Sequence, residues 1–366
     1  MRELRTILTW GIVLTALLHG QDEARTQEKV CSPDGRICVT FTLDGGEPRY
    51  EVSRDGAQVM RPSRMGFELR GAPALKDGFE LAGSSTRSFD EIWKPVWGKA
   101  SSARNHYNEL QLELRQQGPP DRVLEVSFRV FDDGVAFRYR IPEQPALPGV
   151  EISDETTEFR FAGDHTCWWI PADYDSYEHL FRETLLSELG AANTPVTMRA
   201  SDGLFLSVHE AALTDYAGMT LEWLEGDPRG LRCALVPWPD GVKVRGDTPL
   251  VSPWRTIQIG ERPGDLVESF LILNLNEPCA LEDTSWITPM KYMGIWWSLH
   301  IGKETWHEGP THGATNENAK SYIDFAKGPG AADCEILVGG ECDDSKGYFI
   351  SPTLIQAKKP DFKLME

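Results

Sequence analysis

Between residues 30 and 260, apolar positions recur at every second residue in short runs broken by Gly, Asp and Pro. "ICVTFTLDGG" puts Ile37, Val39, Phe41 and Leu43 on one side of an extended chain and Cys38, Thr40 and Thr42 on the other. In "LEVSFRVFDDGVAFRYRI", Leu124, Val126, Phe128 and Val130 share a face. Asp132-Asp133-Gly134 then turns the chain, and Val135, Phe137, Tyr139 and Ile141 return. That is an antiparallel hairpin. "VTMRASDGLFLSVHEA" repeats the device around Asp202-Gly203. Alternating strands separated by turn residues predict a large antiparallel β-sandwich with extended loops.

The pattern then changes. "LILNLNEP" ends the strands and "CALEDTSWITP" bridges to "KYMGIWWSLH" at 291–300. That run reads as a buried strand with Trp296 and Trp297 on opposite faces. Ala319, Tyr322, Ile323 and Ala326 follow at helical spacing, and "CEILVGG" reads as a second strand. Strand, helix, strand is the opening of a parallel βα array, which buries both sheet faces under helices. The boundary falls near residue 287, giving a sandwich over 21–286 and the start of the array over 287–366.

At 366 residues the chain exceeds what one core usually serves, which agrees with two domains. The formal net charge is −19, from 56 acidic against 37 basic residues, and it argues against nucleic acid or an anionic membrane as partner. A neutral substrate or a bound cation suits that charge, and so does solubility alone. At the N-terminus Arg2 and Arg5 precede an apolar run, Ile7 to Leu18, and Gly20 offers a small residue for cleavage. Residues 1–20 therefore read as a secretory signal peptide, with an uncleaved anchor as the alternative. No other stretch is long and apolar enough to span a membrane. Seven cysteines in a chain this long do not make a disulfide scaffold. Cys31 and Cys38 flank "SPDGRI", a turn that would set them opposite each other; a cross-strand disulfide and two free thiols both remain open.

Two stretches could carry chemistry. "LSVHEAALTDYAGMTL" sets His209, Glu210 and Asp215 just after a strand. A zincin needs a second His four residues after the first, and position 213 is Leu, so that reading fails. Glu210 beside Ala211 and Ala212 could offer one carboxylate to a hard cation, although a solvated surface Glu is the simpler account. "WWSLHIGKETWHEGPTHGATNENAK" gathers Trp296, Trp297, Trp306, His300, His307 and His312 without helical metal spacing. Aromatic faces beside hydrogen-bonding groups suit sugars, and one of Trp296 and Trp297 belongs to the core.

"SPDGRICVTF", "EIWKPVWGKA", "NHYNEL", "ANTPVTM", "VHEAALTDYAGMTL", "SPWRTIQIG", "LILNLNEP" and "KYMGIWWSLHIGKETW" through "HGATNENAKSYIDFA" occur in this order and cover nearly the whole mature chain. In that order and spacing they resemble the N-terminal portion of a glycoside hydrolase family 97 enzyme, a family of secreted bacterial α-glucosidases and α-galactosidases. The resemblance implies a mainly β fold, a large antiparallel β-sandwich followed by the incomplete start of a (β/α)8 TIM barrel, with residue 291 opening barrel strand one. It implies an oligosaccharide substrate, a periplasmic or secreted location, and calcium held in part by Glu210 reaching into the barrel mouth. Trp297 and His300, at the end of a barrel strand, become candidates for lining the sugar site. Residues 338–344, "VGGECDD", stand where the family's second barrel strand ends in a Glu-Gly-Trp-Asn-like stretch. The family's catalytic carboxylates lie on later strands, and Glu304, Glu308, Glu317 and Asp324 match none of them. No catalytic residue is therefore assigned, and the chain, read as truncated, is expected to be inactive alone. The alternatives are a non-catalytic carbohydrate-binding sandwich with a vestigial barrel start, and a secreted structural protein, for which only the generic β pattern speaks.

Overall fold

A computed structural model describes residues 25–287 and 291–326 apart from 120 and 175, together with the segments 334–338, 342–343, 348–349 and 353–355. The chain divides into two compact units, one formed by residues up to Pro95 with Ala100–Cys279, the other by Val96–Lys99 with the residues from Ala280 onward.

In the first unit the Asp133-Gly134 turn sets the register expected from the alternation: Val130 pairs with Val135 and Phe128 with Phe137. Leu124, Val126, Phe128, Val130, Val135 and Phe137 are all fully buried. Gly134 is required by close approach, since a Cβ there would lie 2.4 Å from the Ile257 carbonyl oxygen. The hairpin belongs to a ten-stranded antiparallel sheet that includes Phe205–Ala211, Trp254–Gly260, Ala103–Gln116 and, at one edge, Phe79–Trp93.

Smaller sheets cover the inner face. One is the meander Thr26–Cys31, Ile37–Asp44, Glu47–Arg54 and Ala57–Arg64; another joins Glu158–Arg160, Gly230–Leu235, Met219–Trp223 and Ala192–Asn193. Phe137 shows how the layers meet: its ring lies 4.7 Å from Tyr50 of the meander and 6.5 Å from Phe159 of the second small sheet. Sheet packed on sheet is the sandwich the alternation predicts. The turn after Cys31 brings it opposite Cys38, and the two form a disulfide.

The strands of the large sheet end at Gly260, before "LILNLNEP". Leu271–Asn274 is instead a helical turn. Its buried residues Leu271, Asn274 and Leu275 fall at i, i+3 and i+4, which a strand would place on both faces.

In the second unit Lys291–Gly294 is a strand, parallel to Cys334–Val338, with helix Asn316–Ala326 between them in sequence. This is the expected βαβ order. Thr353–Ile355 then joins Cys334–Val338 antiparallel, unlike the pairing within a (β/α)8 array. "GIWWSLH" is not one strand: the extended segment stops at Gly294, and Trp296–His300 is helical. Ile295, Ser298 and Leu299 are the buried residues there, again at i, i+3 and i+4. A short apolar run suits a strand or a buried helical turn equally, and packing selected the helix. Residues 339–341 and 344 of "VGGECDD" lie outside the described residues. Among the described residues no helix is long and apolar enough to cross a membrane.

Candidate functional site

The Asp202-Gly203 turn returns the chain into Phe205–Ala211, which pairs along its length with Trp254–Gly260. This register sets His209 against Thr256, Glu210 against Arg255 and Ala211 against Trp254. Leu206, Val208 and Glu210 face the core, as do Arg255, Ile257 and Ile259 on the neighbouring strand. Two charged side chains thus occupy core-facing positions at one end of the sandwich. Each needs a partner, because an unpaired buried charge is costly.

Arg255 is fully buried and supplies both links of a triad. Its Nε and Nη2 donate to the two carboxylate oxygens of Glu155 at 2.8 and 2.6 Å, and Nη1 donates to Glu210 Oε2 at 2.6 Å. Glu155 comes from the end of strand Gly149–Glu155, where a bulge between Ile152 and Asp154 reverses the alternation and turns it inward. Thr157 Oγ1 donates to Glu155 Oε1 at 2.9 Å and the Tyr216 hydroxyl to Oε2 at 3.1 Å. The Arg255 guanidinium also lies 5.7 Å from the Tyr216 ring centroid.

The two carboxylates are used differently. A carboxylate has about four acceptor positions. Those of Glu155 are filled by Arg255 twice, Thr157 and Tyr216, and the residue is fully buried. Glu210 accepts from Arg255 and from the Met219 backbone N–H, at 2.9 Å on Oε1, and keeps 8% of its surface exposed. Between Glu210 and Met219 the loop holds Ala212 and Asp215 in the left-handed region, at φ 53° and 49°. Non-glycine residues persist there only where their surroundings enforce it. The Asn276 side chain accepts from the Ala212 N–H at 3.1 Å and pins the loop.

Charge and burial shift the neighbouring pKa values. Burial, then the Glu155 charge, pushes the Tyr216 hydroxyl well above its ordinary value, and the same two causes raise the Cys233 thiol. Burial alone would lower Arg255; the Glu155 charge overcomes it, and the guanidinium stays protonated. His209 points to the opposite face, where burial lowers its pKa and its Nδ1 finds no partner among the described residues.

In the second unit Trp297 is 72% exposed and His300 is exposed one helical turn on. The structure brings His300 to Trp296 rather than to Trp297: the Trp296 ring lies 5.9 Å from His300 and 5.2 Å from Trp306. Ser298 donates to Glu304, which also accepts from Asn318 at 2.9 Å, tying the helical turn to the start of Asn316–Ala326.

Arg255, Glu155 and Tyr216 were missing from the sequence-derived site. Arg255 had a readable signal, since it sits between apolar core positions in an alternating strand. Glu155 had none, because the bulge that turns it inward leaves no mark in the alternation.

The profile described as Glycosyl-hydrolase 97 N-terminal matches residues 30–278. The retaining alpha-galactosidase of Bacteroides thetaiotaomicron is 28% identical over 344 residues, covering 84% of this chain and 49% of that protein. A glycoside hydrolase family 97 enzyme from Pseudoalteromonas sp. strain K8, solved with panose and with acarbose, is 39% identical with a TM-score of 0.76. The superposition covers 82% of this chain and 45% of that one. The chain thus spans about half the length of the glycosidases it matches. A 49-residue stretch, 13% of the chain, is 53% identical to the mitochondrial delta-1-pyrroline-5-carboxylate dehydrogenase of Dictyostelium discoideum, covering 8% of that protein.

Proposed function

The chain belongs to glycoside hydrolase family 97, and from that premise we propose that it serves in the hydrolysis of α-glucosides or α-galactosides, with an oligosaccharide as substrate. The observation that carries this is the match of residues 30–278 to the family's N-terminal domain. Glycoside hydrolysis needs one carboxyl to protonate the leaving oxygen and a second as nucleophile or base. Glu155 and Glu210 do not suit those roles, because Glu155 is sealed from solvent with every acceptor position taken. We assign the acid and base to other positions.

Glu210 fits a different role. Calcium takes about six to eight oxygen ligands. Among the described residues no group of three or more His, Cys, Asp or Glu gathers, so these residues do not form a complete calcium site. Glu210, with two acceptor positions open, fits as one ligand of such a site. A bound calcium would supply a fixed positive charge for sugar hydroxyls to ligate. The triad fixes the carboxylate that would face it. In the second unit, exposed Trp297 offers a stacking face and His300 a hydrogen-bonding edge for sugar. Export to the periplasm or beyond is supported by the signal-like N-terminus and by the Cys31–Cys38 disulfide, which persists in oxidising compartments.

The test is a thermal melt of the purified chain with and without calcium, beside a nitrophenyl α-glucoside and α-galactoside assay. Calcium should raise the melting temperature of the wild type but not of Glu210→Gln, with no turnover from the chain alone. Equal calcium shifts in the two proteins would refute the role of Glu210. Turnover would refute the assignment of acid and base elsewhere.

A further inference from the structure

The triad has two carboxylates and one guanidinium, and therefore one negative charge in excess, within a buried sandwich end. Arg255 and Glu155 already make a complete two-pronged pair, so Glu210 brings a negative charge which that pair does not need. Glu210 is the third and most exposed member, and its open acceptor positions are where a further positive charge can be met. We infer that Arg255 and Glu155 are positioning residues for Glu210: Glu155 anchors the guanidinium, Arg255 fixes the Glu210 carboxylate, and the surplus charge is held for a hard divalent cation.

The inference rests on the proposed cation role of Glu210. Tyr216 extends it, since its hydroxyl donates to Glu155 Oε2, the oxygen that Arg255 Nη2 also holds. Met219 N–H donates to Glu210 Oε1 and Arg255 Nη1 to Oε2, so the carboxylate is held in one direction while each oxygen keeps an acceptor position open. A long acidic side chain on a loop could not hold that direction without losing rotamer freedom at binding.

The experiment uses the whole chain and has two arms. In the first, cation-free melts are recorded for wild type, Glu210→Gln and Glu155→Gln. Removing the surplus charge at Glu210 should leave the melting temperature unchanged or higher, while Glu155→Gln, which breaks the two-pronged pair, should lower it by several degrees. Equal losses in the two variants would overturn the inference and leave a structural triad. In the second arm calcium is titrated into wild type, Glu210→Gln, Arg255→Lys and Tyr216→Phe. Arg255→Lys keeps the charge and loses the fork, and should weaken calcium binding by about tenfold, the equivalent of one charged hydrogen bond. Tyr216→Phe reads the same coupling if the lysine variant does not fold, and should weaken binding by about threefold, because its hydrogen bond to Glu155 reaches Glu210 only through Arg255. Wild-type affinity in Tyr216→Phe and in any folded Arg255→Lys, with binding lost in Glu210→Gln, would overturn the positioning role and leave the cation reading standing. Identical titrations of wild type and Glu210→Gln would remove the cation reading and this inference with it.

Discussion

Phe137→Ala should be among the most damaging single changes in the sandwich. The ring is fully buried and lies 4.7 Å from Tyr50, 5.6 Å from Phe128, 6.0 Å from Tyr139 and 6.5 Å from Phe159. These neighbours come from three sheets, so the side chain joins layers. Truncating a buried Phe to Ala costs about 3–5 kcal/mol, which combines lost transfer energy with the cavity left behind. Each well-placed aromatic pair adds about 0.5–1.5 kcal/mol beyond area burial, which places this site at the upper end of that range. Against a total stability of about 5–15 kcal/mol, the loss is a large part of the whole. Phe137→Leu refills most of the space and should cost about 1.5 kcal/mol, chiefly the ring contacts. Urea unfolding followed by tryptophan fluorescence measures both, and near-UV dichroism reports whether the aromatic packing survives. A cost below about 1.5 kcal/mol for Phe137→Ala would mean that the layers repack around the gap, refuting the reading of Phe137 as a staple between them.

Gly134→Ala should destabilise by more than the ordinary Gly-to-Ala change, because its Cβ would meet the Ile257 carbonyl oxygen at 2.4 Å and Leu271 Cδ1 at 2.8 Å; urea midpoints compare it with Gly203→Ala, whose Cβ meets nothing within 4 Å. Glu109 is 1% exposed and accepts from Arg87 at 2.8 Å and Arg129 at 2.6 Å; burial raises its pKa, but the two arginines together leave it below the ordinary value. With the folded pKa depressed, its contribution is present above the unfolded value of about 4.3 and is lost as pH falls through the folded one, so unfolding midpoints between pH 6 and 3 should fall less steeply in Glu109→Gln. Reducing Cys31–Cys38, which closes a loop of sequence separation 7, should cost about 2 kcal/mol, read by melts with and without reductant beside a thiol count by mass.

Much of the sandwich was legible because its strands alternate cleanly. Leu124 to Val130 and Val135 to Ile141 name their own buried faces, and Asp133-Gly134 names the turn. Legibility failed where alternation stops carrying information. The runs at 271–275 and 295–299 are short and apolar, and a strand and a helical turn bury them equally well; only the i, i+3, i+4 pattern of final burial separates the two. Within the site Glu210 was found through its motif, whereas Glu155 was hidden by a bulge and Tyr216 by a loop. The partnership of Glu210 with Arg255 depends on strand register, which joins residues 45 positions apart. The second unit was legible as strand, helix, strand, but the antiparallel partner at Thr353–Ile355 had no signal in the apolar pattern.

Strand Trp254–Gly260 lies between Gly134–Ile141 and Phe205–Ala211, so its neighbours come from far earlier in the chain. Arg255 reaches Glu155 across 100 residues of sequence. Contacts of such high order close late, after the local hairpins have formed. During synthesis Glu155 and Glu210 both emerge before the arginine that unites them, and until it docks each carboxylate keeps its own water. The guanidinium thus acts as a latch on assembly: the sandwich end can be dried only once its last long strand is seated. A polypeptide interrupted between residues 211 and 254 would carry two hydrated acids where the finished domain carries a joined triad.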